Sequence, residues 1–162
     1  MGPAAAWYFA YGSNMNRAQM RSRAGQSLEE QPARLENYEL LFNKKARGGF
    51  ATANIHPASG KTVHGVLYKI PESAFRNLDR FESVPEHYRR IEVAVTDGTG
   101  KKINAQVYIA TKVEKGLRPA PHYLQTILDG AGEHGLPAEY IEEIKAVAGA
   151  TSQHQTAANK EE

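Results

Sequence analysis

Apolar and aromatic side chains run unbroken from Trp7 to Tyr11, stop at Gly12-Ser13-Asn14, and give way to a polar segment with helical spacing. This pattern predicts a buried strand that ends in a turn and feeds a short helix. Asn14 and Asn16 supply capping side chains, Met15, Met20 and Ala24 face inward, and the helix ends near Gly25. Its outer side carries Arg17, Arg21 and Arg23, which reads as a solvated helix face. Residues 32–45 alternate loosely through Leu35, Tyr38, Leu40 and Phe42, and residues 50–55 do the same, predicting paired strands joined by a basic, flexible stretch from Lys44 to Gly49.

A further strand is predicted over residues 61–70, with Val63, Gly65, Leu67 and Ile70, and Pro71 closes it before a helix over 72–81. On that helix Phe75, Leu78, Asp79 and Glu82 share one face, so Glu82 emerges at the C-terminal end of the core-facing stripe. There both the helix dipole and apolar surroundings disfavour the charged carboxylate and raise its pKa. Residues 88–96 and 103–111 alternate cleanly around Asp97-Gly98-Thr99-Gly100, a hairpin signal. Two helices follow over 121–134 and 137–147, each opened by a proline. Residues 149–162 lack apolar periodicity and read as a disordered tail after one domain over 1–148.

About six strands in hairpin-like succession, with helices inserted and two at the end, do not alternate as a doubly wound sheet would. The expected class is α+β: a small, mostly antiparallel β-barrel or curled sheet with peripheral helices, since closure protects the edges of so short a chain.

Composition narrows the chemistry. The 162 residues are 41% hydrophobic and 23% charged with a net charge of +2, which fits one soluble domain rather than a disordered chain or a partner of polyanions. With 0 Cys, disulfides, thiolate metal sites and cysteine nucleophiles are excluded. No basic leader or long apolar segment is present, so a cytoplasmic location without a membrane partner is expected. The histidines form no metal-binding spacing, and neither of the glycine-rich nucleotide loops occurs. The cluster from Lys44 to Arg47 lacks interleaved aromatics and reads as a solvated loop rather than a nucleic-acid contact.

Two places remain for chemistry. A strand that stops at Tyr11-Gly12-Ser13-Asn14 and turns into a helix aims several backbone N–H groups at one small volume, which suits a carboxylate or phosphate. Tyr8, Tyr11 and Ser13 bring hydroxyls to the same end, although Ser13 lacks the context of a nucleophile elbow. Between the acids, Asp79 has arginine neighbours at 76 and 80 that account for it as an ion pair. Glu82 has none at i−3 or i−4 and is the candidate.

These two segments resemble those of γ-glutamylcyclotransferases with a small β-barrel fold. Residues 8–15 resemble the family's substrate turn, and Leu78-Asp79-x-x-Glu82-x-Val84 resembles the segment with its single catalytic glutamate. Residues 48–55 and 63–68 agree in order and spacing, as do Pro121-His122-Tyr123, Gly130-Ala131 and Gly135-Leu136-Pro137-x-x-Tyr140. The resemblance implies cofactor-independent attack of the α-amine of an L-γ-glutamyl group on its own γ-carbonyl, giving 5-oxoproline and a free amine.

It further implies Glu82 as general acid and base, Gly12, Ser13 and Asn14 as amide donors, and Tyr8, Tyr11, Tyr88 and Tyr123 as pocket residues. A small γ-glutamyl amino acid is the expected substrate, and a homodimer stays open. Residues 83–87 depart from the family pattern, which tends to carry glycine after the glutamate. A γ-glutamylamine enzyme and a non-catalytic metabolite-binding module are the alternatives.

Overall fold

A computed structural model describes the backbone of residues 4–161 and the side chains of residues 4–149. Five strands close a barrel: β1 (Ala5–Ala10), β2 (Glu29–Lys45), β3 (Ala51–Pro71), β4 (Tyr88–Asp97) and β5 (Lys102–Ala110), in the order β1-β3-β2-β4-β5. All neighbours are antiparallel except β1 and β5, whose parallel contact at Tyr8 and Gln106 completes the ring. The expected α+β barrel is thus present with one strand fewer than anticipated.

The difference lies in β3. The predicted strands over 50–55 and 61–70 are one continuous element paired along its length with β2, and residues 58–61 bulge opposite Asn37. Asn37 takes a left-handed φ of 64° and its side-chain oxygen accepts the N–H of Gly60 at 3.1 Å. The Pro57-to-Gly60 turn signal is therefore spent on a bulge that bends the strand, not on a connection. The basic segment also differs from expectation: Lys44 and Lys45 lie on β2, and residues 47–49 form a tight 3₁₀ turn.

Four helices complete the fold: α1 (Arg17–Ala24), α2 (Phe75–Phe81), α3 (Pro121–Glu133) and α4 (Ala138–Glu161). None among the described residues is long and apolar enough to cross a membrane. The tail expected over 149–162 lies, Gly149 apart, outside the residues whose side chains are described. Consecutive burial of Val66, Leu67 and Tyr68 on β3 shows that both faces of this strand are covered, one by the barrel interior and one by helices. Helix α4 packs on β2, and α3 packs on the turn after β1.

Glycine permits two close approaches. A side-chain carbon at Gly65 would collide with the carbonyl of Ala10 and the ring of Phe9, where β3 crosses β1. One at Gly130 would collide with the backbone of Met15 and Asn16, so α3 rests directly on the turn.

Candidate active site

Strand β1 delivers its last residues to the barrel mouth, and the polar sequence that follows is held there from several sides. Residues 13–15 wind as a single 3₁₀ turn closed by Met15 N–H to the Gly12 carbonyl at 3.0 Å. Such a turn has no internal acceptors for its first N–H groups, which belong to Ser13 and Asn14. The Tyr68 hydroxyl clamps the turn from β3 by donating to the carbonyls of Asn14 (2.8 Å) and Met15 (3.1 Å).

Asn14 is the buried hub. Its Nδ2 donates to the Tyr8 hydroxyl at 3.0 Å, while its Oδ1 accepts from Gln19 Nε2 and Arg23 Nη1, each at 3.1 Å. Gln19 also donates to Ser13 Oγ at 2.6 Å. The Asn16 side chain caps α1 by accepting the Gln19 N–H at 3.1 Å, which sets the helix phase that brings Gln19 and Arg23 back over the turn. Arg23 therefore departs from the solvated face expected of it: it is half-buried, whereas Arg17 and Arg21 are exposed.

Above the turn lies a cavity of about 600 Å³. Tyr8, Tyr11, Gly12, Ser13, Asn14, Glu82, Tyr88 and Tyr123, from four separate parts of the chain, all line it. The Tyr123 hydroxyl accepts the Ala53 N–H at 2.9 Å, and the Tyr88 hydroxyl donates to the Ala53 carbonyl at 2.8 Å beside Thr52 Oγ1 at 2.8 Å. Tyr11 is anchored through its hydroxyl to the Tyr108 carbonyl at 2.6 Å. Burial pushes the phenols of Tyr8, Tyr11, Tyr88 and Tyr123 well above their ordinary range, so they stay neutral and line the site as fixed dipoles.

Among the described residues Glu82 is the only carboxylate on the cavity wall. It caps the C-terminus of α2, its backbone N–H donating to the Leu78 carbonyl at 2.9 Å, while its carboxylate makes no hydrogen bond or ion pair among the described residues. Desolvation raises its pKa from the ordinary 4.5 to about 7, opposed by the positive charge of Arg23. A group poised there accepts and returns protons near neutrality. Asp79, one turn earlier, is paired as expected but with a different partner: it bridges Arg90 of β4 at 3.0 Å rather than Arg76 or Arg80, and accepts the Tyr108 hydroxyl at 2.7 Å.

The backbone after Glu82 completes the helix end. Ser83 and Val84 donate N–H groups to the carbonyls of Arg80 (3.1 Å) and Asp79 (3.0 Å), with Ser83 in the left-handed region at φ 53°. Arg23, Lys44, Lys45, Arg47 and His87 also line the cavity and were not anticipated there. A helix-wheel reading of Arg23 sees only exposed positions beside it, and the strand pairing that brings residues 44–47 to the cavity is not a local signal.

With this geometry in view, likeness to known proteins becomes specific. The AIG2-like family model matches residues 62–144. Human γ-glutamylcyclotransferase is 36% identical over 148 residues, covering 86% of this chain and 77% of the human protein, and the mouse protein is 35% identical over the same coverage. A solved structure of a γ-glutamyl cyclotransferase superposes with a TM-score of 0.83 at 34% identity, covering 88% of each chain. The chain belongs to the γ-glutamylcyclotransferase family.

Proposed function

We propose that Glu82 and the turn at Gly12, Ser13 and Asn14 together carry out cyclisation of an L-γ-glutamyl amino acid. The observation that carries this reading is one desolvated carboxylate, its pKa raised to about 7, sharing a cavity with the turn. Nucleophile and electrophile belong to one molecule, so the site has chiefly to fold the glutamyl chain into attack geometry and manage protons.

Glu82 takes a proton from the α-ammonium, the freed nitrogen adds to the γ-carbonyl, and a C–N bond of the ring forms. Collapse of the tetrahedral adduct breaks the bond to the departing nitrogen, which is protonated by Glu82. The attacking nitrogen loses two protons overall and the departing one gains two as it leaves as an ammonium, so Glu82 ends as it began. Amide N–H groups of the turn hold the glutamyl α-carboxylate or the oxygen that becomes negative in the adduct. Neutral, fixed phenols around them need no reorganisation as charge develops.

Incubating purified protein with a panel of γ-glutamyl dipeptides and following 5-oxoproline by chromatography tests the reading. Product from at least one dipeptide is expected. The Glu82→Gln variant should bind that dipeptide with little change and turn it over at least about a thousandfold more slowly. Absence of product from every dipeptide, or full activity in this variant, would refute the mechanism.

A further inference from the structure

The cavity carries more positive charge than cyclisation uses. Its charged walls are Arg23, Lys44, Lys45 and Arg47 against the single carboxylate of Glu82. Arg23 is engaged by Asn14 and acts on Glu82. The other three cations, at the end of β2 and in the turn after it, have no carboxylate within ion-pairing distance among the described residues.

Lys44 is the telling one. Near the end of β2, Lys44 is only 7% exposed, as Phe42 is. A register shift between Phe42 and Lys44 sets this lysine opposite Thr52, whose hydroxyl meets Tyr88 on the cavity wall. Among the described residues its ammonium donates once, to the Lys45 carbonyl at 2.7 Å, which leaves two of its three N–H groups without an acceptor there. Burial lowers its pKa, and no carboxylate of the described residues pairs with it to offset that. An entering anion would relieve this cost.

Glu82 ends α2, whereas Lys44 lies near the end of β2 opposite Thr52, so the acid and the lysine reach the cavity from different elements. With its glutamyl half held by the turn beside Glu82, a substrate would have its γ-linked half left to reach the remaining wall, where Lys44, Lys45 and Arg47 lie.

Resting on the cyclisation reading above, we infer that Lys44, with Lys45 and Arg47 at the mouth, forms a subsite for the departing half of the substrate, and that the preferred departing amino acid is acidic. One α-carboxylate satisfies one cation, while a glutamate or aspartate brings a second carboxylate to the others. The same charges repel departing groups that stay cationic, such as lysine or a diamine.

Steady-state kcat/KM should be measured with γ-glutamyl-glutamate, its neutral isostere γ-glutamyl-glutamine, γ-glutamyl-alanine and γ-glutamyl-methylamide. A preference of about tenfold or more for the glutamate dipeptide over the glutamine one is expected, shrinking in 0.5 M NaCl. Lys44→Met and Arg47→Ala should each erode that preference, and Lys44→Arg should keep most of it. Should Lys44→Met fail to fold, Arg47→Ala decides the matter, since Arg47 is exposed. Equal rates for the two isosteres, or a preference untouched by Arg47→Ala, would overturn the subsite while leaving cyclisation intact. No turnover of any of the four would overturn cyclisation, and the subsite with it.

Discussion

Arg23 donates to the side-chain oxygen of Asn14 at 3.1 Å and is also the charge that holds down the pKa of Glu82. One guanidinium thus fixes the turn and tunes the acid. Arg23→Gln removes both effects: Asn14 keeps its bond from Gln19, but Glu82 loses the cation that favours its charged form. The pKa of Glu82 then rises further, so the acidic limb of the kcat/KM profile, expected near pH 7, should move to higher pH. Profiles from pH 5 to 9 check this, and Arg23→Lys should return the limb toward its original position while a purely structural loss would not.

Glu82 should cost stability where it is charged. Its folded pKa of about 7 exceeds the ordinary 4.5, so the folded state binds the proton more tightly than the unfolded one. The benefit of that proton is complete below about pH 4.5 and lost as pH rises through about 7. At 1.4 kcal/mol per pH unit the change approaches roughly 3 kcal/mol. Glu82→Gln should therefore match the parent at pH 4.5 and exceed it at pH 8 in urea-unfolding free energy, while losing activity throughout. An unchanged difference between the two pH values would contradict the burial of this carboxylate.

Gly130→Ala tests whether helix α3 sets the height of the turn. A methyl group there meets the backbone of Met15 and Asn16, which is less able to yield than a side chain. Overpacking of this kind costs about 1–3 kcal/mol. Displacing the turn should also lower kcat, because small errors in reactant placement are expensive. Thermal unfolding and kcat should fall together, and Gly132→Ala, with open space around it, should do neither.

How far the sequence carried this reading depends on the range of each interaction. The strand ending at Tyr11 and the phase of Glu82 on α2 are local patterns, written within a few residues, and the two segments meet in one cavity. Tyr88 and Tyr123 joined them through family resemblance, since alternation alone cannot say that two distant phenols converge on Ala53. The continuity of β3 was hidden because Pro57 and Gly60 read alike in a bulge and in a loop. Lys44 was hidden for a related reason: a lysine beside glycines reads as solvated, and only the pairing of the end of β2 with β3 buries it.

Ser83 offers the most direct test of the loop that departs from the family pattern. It adopts φ 53° as the left-handed residue that ends α2, a conformation that costs a side-chain-bearing residue about 1–2 kcal/mol and glycine very little. Glycine gives back roughly 0.5–1 kcal/mol through greater freedom in the unfolded chain. Ser83→Gly should therefore stabilise the protein by about 0.5–1 kcal/mol, seen as a higher Tm with an unchanged urea m-value. The backbone bonds to Arg80 and Asp79 do not involve the serine side chain, so Glu82 should keep its place and the pH profile its midpoint. A lower Tm would mean that the Ser83 side chain contributes more than its backbone strain removes.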